Sequence, residues 1–218
     1  MRVIVTGTDQ PLGKAAAHGL RVGGWSICAL DIADANCVRI LEAVAAAAEM
    51  LGGVDLVLIS GWAASQLAPT PFEDLDDAAF GAMWEGGMQG MLWTVQATIP
   101  HLRLTGGSVI IMMPTTGMTG GANFAPAAAT FEGQRILMKA AARQLGPQGI
   151  RINAIAVGSE LVLHDADAAD VHYLAPPAIA GKQSADDVVE IISFLAGAAG
   201  RYLSGQTITI DGGRWLAP

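Results

Sequence analysis

The densest group of side chains that could do chemistry is the segment His164-Asp-Ala-Asp-Ala-Ala-Asp-Val-His172. Imidazole and carboxylate groups bind metal ions, but a metal site needs three or four converging ligands with supporting contacts around them. Here a single short segment supplies every group. We therefore interpret the segment as a solvated loop and predict no metal site.

Composition narrows the class of protein. The 218 residues carry a net charge of −8 and 52% of them are hydrophobic, which predicts a folded core and not a disordered chain. The twelve basic residues are scattered, so we predict no nucleic-acid partner. Apolar runs are short and the first residues read as a strand, so we expect no membrane span and no signal peptide. The two cysteines, Cys28 and Cys37, are too few for a disulfide framework, and we expect a cytoplasmic protein.

Short apolar runs alternate with longer helical patterns, which is typical of a parallel sheet covered by helices. We predict strands at Arg2–Thr6, Ser26–Leu30, Val54–Ser60, Ser108–Met113, Arg151–Val157 and Thr207–Ile210. We predict helices at Leu12–Val22, Ala35–Leu51, Leu75–Leu102, Pro126–Leu145 and Ala185–Ala199. Asp34 and Ser184 are the expected N-caps of the second and the last of these helices.

No linker, repeat or low-complexity segment divides the chain, so we predict one domain over residues 1–218. The fold class that follows is α/β, a doubly wound parallel sheet of the Rossmann type with about six strands. The ligand crevice of such a sheet lies beyond the carboxyl ends of its strands. The residues that directly follow each strand are therefore the candidates for a functional site.

Four segments resemble the short-chain dehydrogenase/reductase (SDR) family. They are Thr6-Gly-Thr-Asp-Gln-Pro-Leu-Gly13, similar to the TGxxxGxG turn; Gly106-Gly-Ser-Val-Ile-Ile111, similar to the fifth strand; Leu145–Gly158, similar to "lgpxgIRVNaIaPG"; and Tyr202–Gly213, similar to "yxtGqxixvDGG". The resemblance covers nearly the whole chain, and its last two segments are highly specific. It implies an SDR-type Rossmann fold.

The family is longer than this chain, and the missing parts can be placed. The usual edge strand and its helix are absent between the second strand and Val54–Ser60, so we expect a sheet of about six strands. The helices Leu75–Leu102 and Pro126–Leu145 correspond to the pair that builds the family's four-helix dimer interface. The resemblance therefore implies a homodimer or homotetramer, or a hetero-oligomer with an active SDR subunit.

The resemblance also implies four catalytic side chains, and none of them is present. In the family a Tyr exchanges the substrate proton, a Lys four residues later lowers the pKa of that Tyr and holds the nicotinamide ribose, a Ser orients the substrate oxygen, and an Asn supports a relay water. A gapless alignment places Ala127 at the Tyr and Phe131 at the Lys. The Ser position holds Pro114, and the Asn position holds Gly87.

No other alignment restores the pair, because neither Tyr173 nor Tyr202 has a Lys four residues later. Arg135 lies one helical turn beyond Phe131, which is the wrong place for the Lys role. We interpret Arg135 as a solvated or interface residue.

The cofactor site keeps some of the family's residues. Gly7 and Gly13 stand where glycines let the backbone approach a pyrophosphate at a helix N-terminus. Asp31 stands where a carboxylate accepts the adenosine ribose hydroxyls and favours NAD over NADP. The alternative is that the strand-to-helix turn itself requires both glycines, and that Asp31 only begins a loop.

Other residues depart from the cofactor pattern. Pro11 replaces a glycine and removes an N–H from the first turn. Trp62 would place an indole in space that the cofactor occupies in the family, and Glu160 and Val162 replace contacts near the nicotinamide. If a cofactor binds, the sequence predicts NAD.

These observations lead to a first hypothesis, that the protein is a pseudoenzyme: it has the SDR fold but is not catalytic as a dehydrogenase. Such a protein would act through oligomerisation or as the partner of an active SDR subunit. The alternative is an NAD(P)-dependent oxidoreductase acting on a carbonyl or alcohol with non-standard residues. Glu160, His164 and Thr130 are the candidates for rebuilt chemistry in the old crevice. A third possibility is a module that binds a small molecule in the vacated nicotinamide pocket.

Overall fold

The structure is a computed structural model that describes residues 1–32, 36–60, 68–162, 177–181 and 183–216. Its described strands form one six-stranded sheet in the order β2-β1-β3-β4-β5-β6, and every neighbouring pair is parallel. The strands are β1 Arg2–Thr6, β2 Ser26–Leu30, β3 Leu56–Ile59, β4 Ser108–Pro114, β5 Arg151–Val157 and β6 Thr207–Ile210. The predicted α/β fold with six strands is confirmed. The central strands β3 and β4 are fully buried because helices cover both faces of the sheet.

In the residues that the structure describes, six α-helices connect or follow the strands. They are α1 Pro11–Val22, α2 Cys37–Leu51, α3 Asp77–Thr105, the short α4 Thr116–Thr119, α5 Ala125–Leu145 and α6 Ala185–Ala196. The helix α1 packs against α6, whereas α2, α3 and α5 pack side by side. Right-handed crossovers explain the positions of α1, α2, α3 and α5, because the chain moves from β1 to β2 in one direction and from β2 across to β3, β4 and β5 in the other. They do not explain the position of α6, which lies with α1 although the chain moves from β5 to β6 in the same direction as from β2 to β3.

The ends of the helices correct two expectations. The second helix begins at Cys37 and not at Ala35, and its N-cap is Asn36, whose side chain accepts a hydrogen bond from the N–H of Arg39 at 3.0 Å. The predicted cap, Asp34, lies outside the described residues. The third helix runs from Asp77 to Thr105, later at both ends than predicted, because the Asp76 carboxylate caps it and Gly106 ends it in the left-handed conformation.

Ser184 caps α6 as predicted. Its hydroxyl accepts from the N–H of Asp187, and the Asp187 carboxylate accepts in turn from the N–H of Ser184 at 2.8 Å, which completes a capping box. The helix ends at Ala196 and not at Ala199, and a single 3-10 turn, Ala198–Gly200, follows it.

Two polar side chains of β5 hold the C-terminal third of the sheet together. The Arg151 guanidinium donates to the carbonyls of Leu195, Ala196 and Gly200 at the end of α6. The Asn153 side chain donates to the carbonyl of Leu203 at 2.9 Å and accepts from the N–H of Gln206 at 3.0 Å. These bonds satisfy carbonyls that a helix C-terminus leaves without partners, and they fix the turn that leads into β6.

No helix in the described part of the chain combines the length and the apolar composition that crossing a membrane requires.

Candidate functional site

The first strand-to-helix turn is built around two glycines at the carboxyl edge of the sheet. Gly7 follows β1 with a φ of +70°, which glycine adopts without steric cost, and its carbonyl accepts from the N–H of Gln10 at 3.1 Å. Gly13, in the first turn of α1, lies so close to the carbonyl oxygen of Gly7 that a Cβ at this position would overlap it. Pro11 stands at the start of α1, where its missing N–H removes no intrahelical bond. The packing of the turn therefore requires Gly13 and fits Pro11.

The same edge is tied together by Ser60, which directly follows β3. Its N–H donates to the Thr6 hydroxyl at 3.3 Å, and its own hydroxyl donates to the Thr6 carbonyl. Ser60 is fully buried beneath the turn, against Gly13. Its polar groups are used within the fold and do not face a ligand.

Asp31 lies beside this turn. The last residue pair of the β1–β2 ladder joins Thr6 to Leu30, so Asp31 follows β2 at the level of Gly7. Asp31 is exposed, while Ile32 after it is buried. Asp31 therefore follows β2 beside the strand-to-helix turn.

The segments after β4 and β5 are joined by a pair of buried hydroxyl groups. Pro114 ends β4, and the N–H of Thr115 after it bonds the carbonyl of Val157 at 2.9 Å. The hydroxyls of Thr116 and Ser159 are 2.9 Å apart and both residues are buried. The polar groups that follow these two strands therefore form hydrogen bonds with each other.

Three residues of α5 that the sequence analysis singled out are buried in the core. Ala127 is 2% exposed, and Phe131 and Thr130 are 0% exposed. Phe131 packs so closely on Gly117 that a Cβ at this glycine would lie 2.7 Å from the Phe131 Cβ. The hydroxyl of Thr130 makes no hydrogen bond within the described residues, but it is buried and out of reach of a substrate. This burial argues against Thr130 as a catalytic residue.

Gln134 is a polar residue of this region that the sequence analysis missed. Its side-chain N–H donates to the carbonyl of Gly87 in α3 at 2.9 Å, and Gln134 is nearly fully buried. Gly87 is also close to Thr130, since a Cβ at Gly87 would lie 2.5 Å from the Thr130 Cγ2. The sequence does offer one signal for Gln134, since a glutamine one turn after Phe131 lies on the buried face of the helix. Its partner in another helix is not visible in local sequence.

Glu160 lies in a cleft of about 650 Å³ between the segments that follow β5 and β6. Its carboxylate covers Gly158, where a Cβ would lie 2.6 Å from either carboxylate oxygen, and it approaches the Arg214 guanidinium to 3.9 Å. One carboxylate oxygen is buried without a hydrogen bond inside the described part of the chain. Of the two described residues considered for new chemistry, Thr130 is buried, whereas Glu160 lies in an open cleft.

The sequence of the chain matches known proteins along nearly its whole length. Residues 1–214 match the family described as enoyl-(acyl carrier protein) reductase. An uncharacterized short-chain type dehydrogenase/reductase from Sinorhizobium fredii is 30% identical, over 97% of this chain and 86% of that protein. The chain belongs to the SDR family.

Other members and solved structures agree with this assignment. A 2,5-dichloro-2,5-cyclohexadiene-1,4-diol dehydrogenase from Sphingobium indicum is 28% identical over 97% of this chain and 85% of its own length. A short-chain dehydrogenase from Burkholderia cenocepacia, solved in complex with NADP, superposes with a TM-score of 0.81 at 24% identity over 98% of this chain and 97% of its own. Sorbitol-6-phosphate 2-dehydrogenase from Erwinia amylovora gives 0.85 at 17% identity, over 99% and 100%. At these identities the two structures show the shared fold alone.

In this SDR chain the four predicted catalytic positions lie in two places. Gly87 is buried in α3, and Ala127 and Phe131 are buried in α5. Pro114 is buried at the end of β4. None of the four side chains carries a group that can exchange a proton at neutral pH, because they are those of Gly, Ala, Phe and Pro.

The SDR fold implies a dinucleotide cofactor. The described residues fit the adenosine and pyrophosphate half of such a cofactor but not its nicotinamide half. The N–H groups of Leu12 and Gly13 lie in the first turn of α1, where a helix leaves its N–H groups without internal acceptors, and such groups attract phosphate. Asp31 is exposed beside them and can accept ribose hydroxyls. At the other end, the buried Phe131 offers no polar atom where the family's Lys holds the nicotinamide ribose. The adenosine and pyrophosphate half fits, and the nicotinamide half does not.

Several predicted residues cannot be placed. Trp62 and the segment from His164 to His172 lie outside the described residues. Among the residues that are described, no three His, Cys, Asp or Glu side chains come together in a way that could hold a metal ion.

Proposed function

We propose that this SDR-family protein is not catalytic as a dehydrogenase and acts through association of folded subunits, either with copies of itself or with an active SDR subunit. The observation that carries this proposal is the burial of Phe131 at the position of the catalytic Lys. A phenyl ring without exposed area cannot bind a ribose or lower the pKa of a neighbouring group. The position has become part of the core.

The contact between Gln134 and Gly87 supports the same proposal. The resemblance implies an Asn at position 87 that supports a water of the proton relay. Here the carbonyl of Gly87 accepts a hydrogen bond from a buried protein side chain instead. The region that would hold a proton path is filled with protein atoms.

The outer surface of α3 and α5 supports association. Phe80 and Trp84 of α3 are each 42% exposed, and Ile136 of α5 is 54% exposed. A Cβ at Gly81 or Gly90 of α3 would meet no atom within 4 Å, so the helix leaves open space beside these aromatic rings. Aromatic side chains commonly anchor protein interfaces, and small residues allow a second helix to approach closely.

An assay of hydride transfer tests the first part of the proposal. Purified protein is mixed with NADH or NADPH and a panel of ketones, aldehydes and enoyl thioesters, and the absorbance of the reduced nicotinamide is followed. We expect no turnover above a blank without protein. Turnover that survives repeated purification and disappears in the Glu160→Gln variant would overturn the proposal, because Glu160 is the candidate acid in the open cleft.

The second candidate function is an NAD(P)-dependent oxidoreductase with non-standard residues. Two observations favour it: the turn of Gly7 and Gly13 beside Asp31, and the names of the relatives, which are dehydrogenases and reductases. Calorimetry with NAD and with ADP-ribose separates the two candidates. A pseudoenzyme binds NAD no more tightly than ADP-ribose, because its nicotinamide half lacks contacts, whereas a working enzyme binds NAD more tightly.

The single domain over residues 1–218 and the cytoplasmic location remain proposals of the same kind. They are supported by the absence of a linker-like segment in the sequence and by its two cysteines.

A further inference from the structure

A groove of about 590 Å³ runs between α5 and the edge strand β6. One wall is formed by Arg135, Lys139 and Arg143 of α5. These residues are spaced by four, so their side chains lie along one stripe of the helix. The stripe faces β6 and the turn before it.

This stripe is positively charged, whereas the whole chain has a net negative charge. The protein has 12 basic and 20 acidic residues, yet three of the basic ones line this groove, and no carboxylate is found among its described lining residues. Like charges at this spacing destabilise a helix. Arg135 is compensated by Glu132, one turn before it, with Nε 2.7 Å from a carboxylate oxygen. Within the described part of the chain, Lys139 and Arg143 have no carboxylate within 4.0 Å.

The opposite wall offers neutral hydrogen-bond donors. The Ser204 hydroxyl accepts from the N–H of Ile152 at 3.3 Å, which leaves its own proton free to donate. The side-chain amide of Gln206 donates to the Ser204 carbonyl at 3.3 Å and lines the same wall. A groove with cations on one side and neutral hydrogen-bond donors on the other is complementary to an anion.

The length of the groove indicates more than one anionic group. Eight residues separate Arg135 from Arg143, a rise of about 12 Å along a helix. The turn at Gly205 packs on Ala142, where a Cβ would lie 3.5 Å away, so the hydroxyl wall begins beside Arg143. Trp215, which follows β6, also lines the groove. A single phosphate cannot reach all three cations.

We propose that this groove is a binding site for a small organic molecule that carries at least two phosphate groups. The phosphates lie along Lys139 and Arg143 opposite Ser204 and Gln206, and an adjoining planar part of the molecule lies against Trp215. The site is separate from the turn of Gly7 and Gly13, which lies at the far side of the sheet order next to β2. It does not depend on the proposed pseudoenzyme function.

Calorimetry with inorganic tripolyphosphate at low ionic strength tests the proposal. We expect saturable binding that weakens as salt is added, because the contacts are between partly exposed charges. The double variant Lys139→Gln/Arg143→Gln should bind at least about tenfold more weakly, since it loses two charge-assisted contacts. The charge-conserving variant Lys139→Arg/Arg143→Lys should retain most of the affinity.

The matched control is Arg21→Gln/Arg39→Gln, which removes two exposed cations from α1 and α2 and keeps the groove intact. It should bind as the wild type does, and thermal unfolding should show that both double variants remain folded. The proposal is overturned if the wild type does not bind tripolyphosphate, or if the groove variant binds as well as the control variant. It is also overturned if both double variants lose affinity equally, which would reflect net charge alone.

Discussion

At the scale of single residues, Phe131 decides most about the chemistry of this SDR chain. It stands where the family has a Lys, it has no exposed area, and it packs on Gly117. The sequence alone predicts that the Lys is missing, because that prediction requires only an alignment. It does not show that the space has been filled, because this depends on atoms of another segment.

Phe131→Lys should therefore destabilise the protein and not restore the family's chemistry. A lysine at this position would place an ammonium group in the core without a partner and would remove a packed ring, at a cost of at least about 3 kcal/mol in the free energy of unfolding. Urea unfolding followed by circular dichroism measures this cost. Ala140→Lys, an exposed position on the same helix, is the control and should stay within about 0.5 kcal/mol of the wild type. Equal stability of the two variants would mean that position 131 can open to solvent.

A second prediction at this scale concerns Asp55, just before β3. The Arg2 guanidinium and the Arg2 N–H donate to its carboxylate, at 2.6 Å and 2.8 Å for the closest bonds of each kind. The hydrogen bond from the Arg2 side chain is the main cause that lowers the pKa of Asp55, and the opposing effect of burial is smaller. The ion pair therefore joins the first strand to the third through a carboxylate that resists protonation.

The sign of the pH effect follows from this lowered pKa. The folded state holds Asp55 ionised at a pH where the unfolded chain, with a pKa near the usual value of about 3.9, already takes up a proton. The contribution of the pair is present above that value and is lost as the pH falls through the lowered pKa. Asp55→Asn should be less stable than the wild type at neutral pH, and the difference should shrink on acidification. Urea unfolding across this range measures it, with Glu49→Gln as the control for loss of an exposed carboxylate. A difference that stays constant with pH would contradict the prediction.

At the scale of elements, the strands and helices were predictable and their crossings were not. Runs such as Val109–Met113 are apolar throughout, which marks a strand buried on both faces, and the order of strands and helices then favours a doubly wound sheet. The contact between α3 and α5 at Gly87 and Gln134 joins residues 47 positions apart, and no local pattern indicates it. The N-cap of α2 was predicted at Asp34 although Asn36 caps it, because either residue type can fill that role.

Two glycines of α3 should respond in opposite ways to alanine. At Gly87 an added methyl group would meet the Thr130 Cγ2 at 2.5 Å, so Gly87→Ala should cost about 1–3 kcal/mol. At Gly81 the added methyl group meets nothing within 4 Å in the same subunit, so Gly81→Ala should stabilise the helix of the dissociated subunit by about 0.5–1 kcal/mol. Thermal and urea unfolding at one fixed protein concentration compare them. If both variants are stabilised, α3 and α5 do not pack as closely as described.

At the scale of the whole molecule, the acidic chain presents two surfaces of different character. One is the apolar surface of α3 and α5 around Phe80, Trp84 and Ile136, and the other is the basic groove beside β6. The proposed association uses the first, and the proposed anion site uses the second. Experiments on one should therefore leave the other unchanged.

Association should be lost when charge is placed on the apolar surface. Trp84→Glu/Leu92→Glu introduces two carboxylates on exposed positions of α3, and a carboxylate buried in an apolar interface without a partner opposes assembly. We expect light scattering after size-exclusion chromatography to show an oligomer for the wild type and a monomer for the variant.

The control for this experiment is Val22→Glu at the end of α1, on the opposite side of the sheet, which is 76% exposed. It should keep the oligomeric state of the wild type. A wild type that is monomeric at all accessible concentrations, when no active SDR subunit is added, would restrict the proposal to hetero-association. If the protein also failed to bind an active SDR subunit, the proposal of association would be overturned.

The hydrogen bonds of Arg151 and Asn153 bear on which residues natural selection preserves in this chain. Both residues belong to the segment most similar to the family, and both spend their hydrogen bonds on the end of α6 and the turn before β6, far from any reacting group. Natural selection for a folded chain is therefore enough to preserve them, with or without hydride transfer. The scaffold can therefore be inherited independently of the chemistry, and membership of the family is recorded in residues that support the fold.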